Sequence, residues 1–491
     1  MTNKCDFFSN LIRRLGRKTL HEQDLLALVD NFLEASLDAS LILEELKMDT
    51  EVEDMSEEKL LNSLGMELAP SHHALDQSIE KNKGGQNYSP LENIVVSKVK
   101  DSSTLLARKP HPDDIKKYIE TELIDGLCCY SAVNQGQLNK TIVDSVIKHL
   151  DEEKLPTVPR SIRHKYMSAF LLAVTGITEM DKVVPKVAGV ESWELSFKIS
   201  RRWGHYKKGI PEKDIIIVGA TGNFHGRSMA AISMSDDAES RTGFGPFLPG
   251  IELVPYNNIE ALEDLFKKKG DQIASYMVEP IQGEAGVIVP DDDYFPQVSK
   301  LCKKYNVLLA MDEVQTGFGR TGRNFAHQLY GVKPDIMGCG KAAGGGILPV
   351  SFVAGRKDVI DVLTPGSEGS TFGGYPLASV VGTYAIKVLV DESLAENAKV
   401  KGDYLIGNLN SIKDEFPQKI KEVRGKGLLT AFEMHDERSL DGHTVSVELL
   451  NHGVYAKETH HSTVRLAPAL TINNDQIDRL TDAIRTVIKG L

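Results

Sequence analysis

The pattern of apolar and polar positions divides the chain into a short first part and a long second part. In the first part, apolar residues recur at helical spacing over 20–47, which predicts an amphipathic helix. A second, shorter helix is predicted over 56–65, and the polar stretch 70–88 is typical of a linker. We therefore expect a helical N-terminal extension over 1–86, which either packs on its own protein or binds a partner.

From residue 87 onward, short apolar runs alternate with segments of helical spacing. Buried strands are predicted at Ile215–Val218, Tyr276–Val278, Val307–Met311 and Phe352–Ala354. Helices are predicted near 193–208, 257–269, 294–305 and 378–390. This alternation predicts an α/β fold with a largely parallel sheet that helices cover on both faces. Because ligands bind such sheets beside the carboxyl ends of the strands, the loops after the strands are the expected site.

Composition narrows the class of protein. The chain has 491 residues, which is too long for one compact core and predicts roughly two to four structural units. Its net charge of −12 argues against a nucleic-acid surface as its main function, because phosphate binding requires clustered Lys and Arg. No apolar run approaches the ~20 residues that a membrane helix requires, so no membrane segment is expected.

Three groups of residues indicate the compartment and whether a metal is bound: the cysteines, the histidine pairs and the first residues of the chain. The five cysteines are an odd number without zinc-ligand spacing, which is typical of reduced thiols in a cytosol-like compartment. The pairs His72-His73 and His460-His461 have no third ligand at metal spacing, so no metal site is expected. Residues 7–18 are apolar and basic, as in a mitochondrial transit segment, but acidic residues follow from Glu22 onward. We expect a cytoplasmic protein, with the mitochondrial matrix as the alternative.

The candidate chemistry lies at the end of one predicted strand and further along the chain. The strand that ends at Met311 is followed by Asp312, Glu313 and, two residues later, Gln315. A carboxylate in this position could be a structural acid, a metal ligand or the partner of a cationic ring nitrogen. Lys341 lies 29 residues after Asp312 among glycines and alanines, which leave room for a bulky adduct on its amine. The two residues at this spacing are more specific than either of them alone.

The spacing of Asp312 and Lys341 is where the chain resembles the class III (subgroup II) aminotransferases. The resemblance continues in order through GATGNFHGR at 219–227, VEPIQGEAG at 278–286, GSTFGG at 369–374 and RGKGLL at 424–429. Three further motifs are similar to those of the ornithine enzymes in this family, namely NYSP at 87–90, YSAVNQG at 130–136 and VRLAP at 464–468. The resemblance covers about residues 87–491, roughly four fifths of the chain.

The resemblance implies the fold of the pyridoxal-phosphate (PLP)-dependent transferases of fold type I. A large domain with a mostly parallel sheet is expected over 139–393. A smaller α/β domain is expected from both ends of the aminotransferase region, 87–138 and 394–491. The resemblance also implies a homodimer or a higher homo-oligomer.

The resemblance further implies that the cofactor is PLP and gives four side chains a role in binding it. Lys341 is expected to form a Schiff base with the cofactor aldehyde and, once displaced, to carry the proton between substrate and cofactor. Asp312 is expected to keep the pyridine nitrogen protonated, so that the ring accepts electrons. Gln315 is expected to bond the ring hydroxyl, and Phe224 is expected to stack on the ring face.

The cofactor phosphate is expected to be bound from two sides. The backbone N–H groups of Gly189 and Val190, just before a predicted helix, are expected to bind it. Ser370 and Thr371 are expected to reach the phosphate of the neighbouring subunit, so that the active site requires a dimer.

Two positions near the expected phosphate site depart from the family pattern. Ala188 stands where the family has Ser or Thr, so one hydroxyl is missing. Trp193 stands where the family has a small residue, so the packing of the helix is expected to differ.

Gly317–Gly322 matches the GxGxxG of dinucleotide-binding proteins, but no helical pattern opens behind it, and we reject that interpretation.

Five residues are expected to select the substrate. Arg227 is expected to bind the distal carboxylate, while Tyr88 and Tyr130 frame the α-amino acid end of ornithine, so that the δ-amine reaches the cofactor. Glu284 is expected to mask Arg465 in the first half-reaction, and the α-carboxylate of 2-oxoglutarate displaces it in the second. The implied reaction is ping-pong transamination of L-ornithine and 2-oxoglutarate to glutamate 5-semialdehyde and L-glutamate.

Two other interpretations stay open at the level of sequence. The same chemistry would serve another ω-aminotransferase, with acetylornithine, 4-aminobutyrate or lysine as donor, or a racemase or aminomutase. The chain could also be a non-catalytic scaffold or regulator that has kept the fold and gained the N-terminal extension. Tyr88 with Glu284 favours ornithine, and the intact Lys341, Asp312 and Gln315 favour catalysis.

Overall fold

The computed structural model describes residues 95–111, 114–435 and 441–491. The two helices and the linker that were predicted in the N-terminal extension, together with Tyr88, lie outside these residues. In the part of the chain that is described, no helix is long and apolar enough to cross a membrane.

The described residues contain strands and helices in alternation. The strands are β1 (Val95–Asp101), β2 (Thr104–His111), β3 (Asp114–Asp125), β4 (Lys182–Lys186), β5 (Ile216–Ala220), β6 (Ile251–Val254), β7 (Ile273–Val278), β8 (Leu308–Asp312), β9 (Ile336–Cys339), β10 (Ser351–Gly355), β11 (Ile420–Lys426), β12 (Leu429–Met434), β13 (Val454–Tyr455), β14 (Lys457–Thr459) and β15 (Thr463–Leu466). The right-handed α-helices are α1 (Lys140–Lys148), α2 (Lys165–Thr178), α3 (Gly189–Tyr206), α4 (Met229–Met234), α5 (Ala238–Arg241), α6 (Ile259–Lys269), α7 (Tyr294–Tyr305), α8 (Lys357–Ile360), α9 (Pro376–Asp391), α10 (Leu394–Glu415), α11 (Gly442–Asn451) and α12 (Asn474–Gly490).

The central sheet has seven strands in the order β4-β10-β9-β8-β7-β5-β6. Strands β5 to β9 pair in parallel, whereas β10 is antiparallel to both of its neighbours, β9 and β4. The prediction of a largely parallel sheet is therefore confirmed, with β10 as its antiparallel exception. The four strands predicted from apolar runs correspond to β5, β7, β8 and β10, and the four predicted helices correspond to α3, α6, α7 and α9.

Alternate residues of the central strands face two different cores. Ile217 and Ala310 belong to the core that α3 covers, whereas Val218 and Leu309 belong to the core that α6 and α7 cover. Every residue of β5, β7 and β8 is buried, and each large aliphatic side chain contributes roughly 1.5–3 kcal/mol of burial free energy. Burial on both faces explains why these strands are continuous apolar runs in the sequence.

Two smaller sheets accompany the central one. One is antiparallel, in the order β11-β12-β15-β14, and the other has the order β1-β2-β3-β13. In the latter, β13 pairs in parallel with the end of β3, at Ile124 and Asp125. By compactness, the described residues up to Lys98 form one unit with 105–122, and the remaining described residues form a second unit. The division into domains at 87–138, 139–393 and 394–491 stays a prediction.

Candidate active site

Three ionisable side chains follow three neighbouring strands of the central sheet. Glu279 follows β7, Asp312 is the last residue of β8, and Lys341 lies two residues beyond β9. Because these strands are parallel, their carboxyl ends lie side by side at one edge of the sheet. This edge is therefore the candidate active site, as the sequence predicts.

Asp312 is buried and held by two hydrogen bonds. His225, from the loop after β5, donates from Nδ1 to Asp312 Oδ2 at 2.7 Å, since an ionised carboxylate only accepts. The backbone N–H of Val314 donates to Oδ1 at 3.0 Å. With both oxygens bonded, the carboxylate is fixed at the end of its strand.

Lys341 lies in a tight turn with a φ of 45°, and its amine donates to Gln315 Oε1 at 3.3 Å. Burial, and after it the charge of Arg465, lowers the pKa of Lys341 to about 8, against the opposing effect of Asp312. A larger share of its amine is therefore neutral near pH 7 than in an exposed lysine. The neutral amine is the form that attacks a carbonyl group.

Helix α3 begins beside this edge of the sheet. The first N–H groups of a helix have no intrahelical acceptor, so those of Gly189 and Val190 can bind an anion. Gly189 is required by close packing, because a Cβ there would lie 2.8 Å from the side chain of Val314. Ala188 supplies no hydroxyl here, and Glu191 accepts the Ala188 N–H at 2.8 Å and the preceding N–H at 2.9 Å.

An ion pair lies close to Lys341. Glu284 Oε2 is 3.0 Å from Arg465 Nη1, and the arginine side chain is 1% exposed whereas the glutamate side chain is 41% exposed. Burial opposes the ionisation of Glu284, but the charge and the hydrogen bond of Arg465 lower its pKa. The Arg465 guanidinium also lies over the ring of Tyr130, 5.4 Å from its centroid. The more exposed partner, Glu284, is the one that a competing carboxylate can displace.

A left-handed turn presents Tyr130 to this ion pair. All four residues of Cys128–Ser131 have positive φ values, between 48° and 69°. Asp125 Oδ1 accepts the backbone N–H groups of Leu127 and Cys128 at 3.1 and 2.7 Å. Left-handed backbone costs roughly 1–2 kcal/mol per residue. Strain of this kind is concentrated at functional sites.

Phe224 and Arg227 flank His225 on the loop after β5. The turn depends on Gly226, which has a φ of 115° and whose Cβ would lie 2.6 Å from the side chain of Val190. The guanidinium of Arg227 lies 5.7 Å from the centroid of the Phe224 ring, and both side chains are exposed. Among the described residues, no hydrogen bond or ion pair joins Arg227 to the ionisable groups at the strand ends.

Ser370 and Thr371 line an open cleft. The cleft has a volume of about 770 Å³, and Thr157–Arg160 and Phe372 line it as well. In the described part of the chain, neither residue has a hydrogen bond to Asp312 or Lys341. The structure therefore brings together Asp312, Gln315, Lys341, Glu284 and Arg465, but does not add these two residues to that group.

Two residues of the site were missed at the level of sequence. One is His225, the partner of Asp312. The other is Glu279, which accepts the N–H groups of Phe224 at 3.1 Å and Gly283 at 3.3 Å. Burial raises the pKa of Glu279 to about 7, with His225 opposing this and Asp312 adding to it. Both lie inside quoted motifs. For Glu279 the available signal was a polar residue directly after a buried strand, whereas His225 lies further into the loop after β5.

The residues at this edge of the sheet fit PLP. Gln315 Nε2 is buried, and it has no hydrogen-bond partner among the described residues. It lies in the same side chain as the acceptor of the Lys341 amine, so it can donate to an oxygen of a group bound there. Asp312 at the strand end suits a protonated ring nitrogen, and the start of α3 suits a phosphate.

Comparison with known proteins identifies the family. Residues 113–488 match the model of the family described as Aminotransferase class-III. The chain belongs to the class-III aminotransferases. It is accordingly a PLP-dependent aminotransferase with fold type I, and the expectation from sequence is confirmed.

This class-III aminotransferase is similar to proteins named for ornithine. It is 40% identical over 422 residues to the mitochondrial ornithine aminotransferase of Arabidopsis thaliana, which covers 86% of each chain. It is 41% identical over 379 residues to the ornithine aminotransferase of Emericella nidulans, covering 75% of this chain and 82% of the relative. A crystal structure of the ornithine aminotransferase of Toxoplasma gondii, in which PLP partly occupies the active site, matches with a TM-score of 0.79 and 33% identity. That match covers 86% of this chain and 95% of the Toxoplasma chain.

Proposed function

We propose that this chain transfers the δ-amino group of L-ornithine to 2-oxoglutarate, giving glutamate 5-semialdehyde and L-glutamate. The observation that carries the proposal is the pair of Glu284 and Arg465, 3.0 Å apart, beside Tyr130 and close to Lys341. An arginine that can be masked and unmasked allows one site to accept a diamino acid in one half-reaction and a dicarboxylic oxo acid in the other. The names of the similar proteins support the same amino donor.

We assign cofactor binding to residues at the carboxyl ends of the strands. Asp312 would bond the pyridine nitrogen, Gln315 would bond the ring hydroxyl, and Phe224 would cover one ring face. The backbone of Gly189–Val190 would bind the phosphate. When bound, PLP supplies an aldehyde for the exchange of the amino group and a ring that accepts the electron pair of the breaking C–H bond.

Lys341 serves as nucleophile and as proton carrier. Its pKa of about 8 leaves a share of neutral amine at pH 7, which is required for attack on an aldehyde. After displacement by substrate, Lys341 Nζ takes the proton from the δ-carbon of ornithine, and Gln315 Oε1 orients the amine. Proton transfer by a positioned group contributes about 10²–10⁴-fold to the rate.

The substrate residues change partners between the half-reactions. Tyr88 and Tyr130 frame the α-amino acid end of ornithine while Glu284 keeps Arg465 neutralised. In the second half-reaction, the α-carboxylate of 2-oxoglutarate displaces Glu284 and binds Arg465 in a bidentate manner, while Arg227 binds the distal carboxylate. Because Arg465 is buried, the exchange of one carboxylate for another keeps its charge compensated throughout.

Assembly and compartment belong to the same proposal. A homodimer is proposed, in which Ser370 and Thr371 of one subunit contact the phosphate bound by the other. Their position in an open cleft, without a hydrogen bond to Asp312 or Lys341 among the described residues, supports this arrangement. We propose that the extension over 1–86 is an arm that binds a partner or packs on its own protein.

We propose the cytoplasm as the compartment, with the mitochondrial matrix as the alternative. A fluorescent fusion of the full chain distinguishes the two compartments.

A panel of amino donors tests the proposed function. The PLP-loaded protein is assayed with 2-oxoglutarate and L-ornithine, N-acetylornithine, 4-aminobutyrate or L-lysine. We expect kcat/KM for ornithine to exceed that for each other donor by at least about tenfold, since the site is shaped around a free α-amino acid end. If another donor is turned over and ornithine is not, that donor replaces ornithine as the proposed substrate. Racemisation or amino-group migration would indicate a racemase or aminomutase, and cofactor binding without any turnover would indicate a scaffold.

A further inference from the structure

The indole of Trp193, one turn after the start of α3, packs against the loop that follows β5. It is 2% exposed and lies almost parallel to the imidazole of His225, with ring centroids 5.0 Å apart and an interplanar angle of 16°. His225 in turn donates from Nδ1 to Asp312 Oδ2 at 2.7 Å. Direct contacts therefore run from Trp193 through His225 to the carboxylate that we assign to the pyridine nitrogen.

Trp193 also contacts a second ring. Phe197, one turn further along α3, lies with its ring centroid 5.5 Å from that of Trp193 and an interplanar angle of 32°, and the Arg201 guanidinium lies 4.9 Å from the Phe197 ring. These three residues are spaced four apart, which places them on one face of the helix. The indole contacts both Phe197 and His225 and is almost fully buried, so in a close-packed core it cannot turn freely.

His225 depends on this packing for its orientation. Its Nε2 atom is buried and has no hydrogen-bond partner among the described residues, so the single bond from Nδ1 leaves the plane of the ring undetermined. A flat aromatic surface fixes that plane. The ionisable groups that face His225 are Asp312, at the end of β8, and Glu279, after β7, and both are acids.

We propose that Trp193 is a positioning residue of the reaction. Its ring holds His225 in the orientation in which Nδ1 donates to Asp312, and Asp312 is thereby fixed for the pyridine nitrogen. The inference rests on the proposed function, because it uses the role of Asp312 toward PLP. Since Trp193 acts through His225 and not on ornithine itself, its removal should change kcat and leave KM for ornithine nearly unchanged.

Tryptophan fluorescence tests the contact independently of catalysis. The chain has two tryptophans, Trp193 and Trp203, so the variant Trp203→Phe leaves Trp193 as the single indole. An imidazole in contact with an indole changes the emission of the indole. The emission intensity of full-length Trp203→Phe protein, measured at one fixed pH without and with PLP, should therefore change when His225 is replaced.

One variant identifies the group behind that change. His225→Asn, in the Trp203→Phe background, removes the ring that packs on the indole. Equal emission from Trp203→Phe and from Trp203→Phe with His225→Asn would overturn the proposed contact.

Kinetics tests whether the contact positions Asp312. Trp193→Leu, which removes the ring but keeps an apolar side chain, should lower kcat about tenfold, the effect of a moderately weakened transition-state interaction. KM for ornithine should stay within about twofold, and Trp193→Phe should restore most of kcat because it keeps an aromatic surface. Phe197→Leu is the matched control, since Phe197 lies in the same stack without touching the imidazole, and kcat should stay within about twofold of the unmodified enzyme.

A double variant separates positioning from general damage to the core. His225→Asn provides an amide N–H in place of Nδ1 and no ring to stack, so Trp193→Leu should cost nothing further in that background. Additive losses, or equal losses in Trp193→Leu and Phe197→Leu, would overturn the proposal. Trp193→Met serves the same purpose if the leucine variant does not fold. Failure of the unmodified enzyme to use ornithine would defeat the proposed function, whereas the comparison of the emission with and without His225 would still decide the contact.

Discussion

At the scale of single residues, the reactivity of the site is set by how its charges are buried. Lys341 illustrates this, because burial and the nearby charge of Arg465 bring its pKa from the ordinary 10.5 to about 8. The amine is therefore ready to attack an aldehyde at a pH at which an exposed lysine is almost fully protonated.

The first prediction concerns the pH at which Lys341 reacts. In cofactor-free protein, the rate of aldehyde addition at Lys341 should rise about tenfold per pH unit below pH 8 and level off above it, because only the neutral amine attacks. Trapping with borohydride followed by peptide mass spectrometry measures this rate, and Lys341→Arg is the blank. Half-maximal labelling near the ordinary value of 10.5 would contradict the lowered pKa.

The second prediction concerns Glu284. In Glu284→Gln the charge of Arg465 is unmasked in both half-reactions, so the α-carboxylate of ornithine should bind it and the δ-amine should leave the reaction centre. We expect kcat/KM for ornithine to fall by at least about tenfold while the half-reaction with L-glutamate is retained. Glu422→Gln is the matched control, since Glu422 pairs with Arg424 at the surface of β11. Equal losses in both half-reactions would show that Glu284 does not act as a switch.

At the scale of secondary structure, an ion cluster fixes the loop that carries Ser370 and Thr371. Glu368 precedes this loop and bonds both Lys186, at the end of β4, and Lys198, on α3. Burial opposes its ionisation, but the two lysines lower the pKa of Glu368 to about 2. Glu368 thus ties this loop to β4, which precedes α3 in the chain, and to α3 itself.

The third prediction concerns stability against acid. Because the folded pKa of Glu368 lies below its ordinary value of 4.5, its stabilising effect is fully present above pH 4.5 and is lost as pH falls toward 2. Glu368→Gln should therefore lower the free energy of unfolding by about 1–3 kcal/mol at pH 7, and this deficit should shrink below pH 4. Thermal unfolding at a series of pH values measures it, with the exposed Glu396→Gln as control. A deficit that does not change with pH would refute the ion cluster.

The elements that could be predicted from sequence are those whose pattern is set by their own burial. Strands β5, β7 and β8 are buried throughout because both of their faces are covered. The resulting apolar run can be recognised from the sequence alone. Helix α3 was predicted from Trp193, where its apolar periodicity starts. It begins at Gly189, because its start is set by packing against Val314 from another loop.

The parts of the site that were missed depend on contacts between distant segments. The bond from His225 to Asp312 joins the loop after β5 to the end of β8, and the left-handed turn at Cys128–Ser131 is held by Asp125 from the end of β3. Neither leaves a periodic signal in the sequence. The stacking of Trp193 had a weak signal, since Trp193, Phe197 and Arg201 are spaced four apart, but its partner His225 comes from a different element.

At the scale of the whole molecule, the position of Ser370 and Thr371 decides whether an active site is shared between subunits. These residues line a cleft with Thr157–Arg160 and have no described bond to Asp312 or Lys341. If a second copy of the chain completes each active site, two inactive variants with different substitutions should together form an active hybrid dimer.

The fourth prediction uses such a hybrid dimer. Lys341→Ala and Thr371→Asp should each be inactive as homodimers, the latter because a carboxylate repels the phosphate. In a hybrid dimer with shared sites, one site collects both defects and the other has none, so activity should return when the two subunits are mixed or co-expressed. If Thr371 served its own subunit, both sites of the hybrid would be damaged and no activity would return.

The most direct test of the central claim is the visible absorption of the PLP-loaded protein before and after L-ornithine is added without an oxo acid. We expect ornithine to remove the absorption band of the lysine-bound cofactor, because the first half-reaction leaves the amino group on the cofactor, and 2-oxoglutarate to restore it. Lys341→Ala should show neither change. A band that ornithine leaves intact, while another amine or none removes it, would contradict the claim that this chain is an ornithine aminotransferase acting through Lys341.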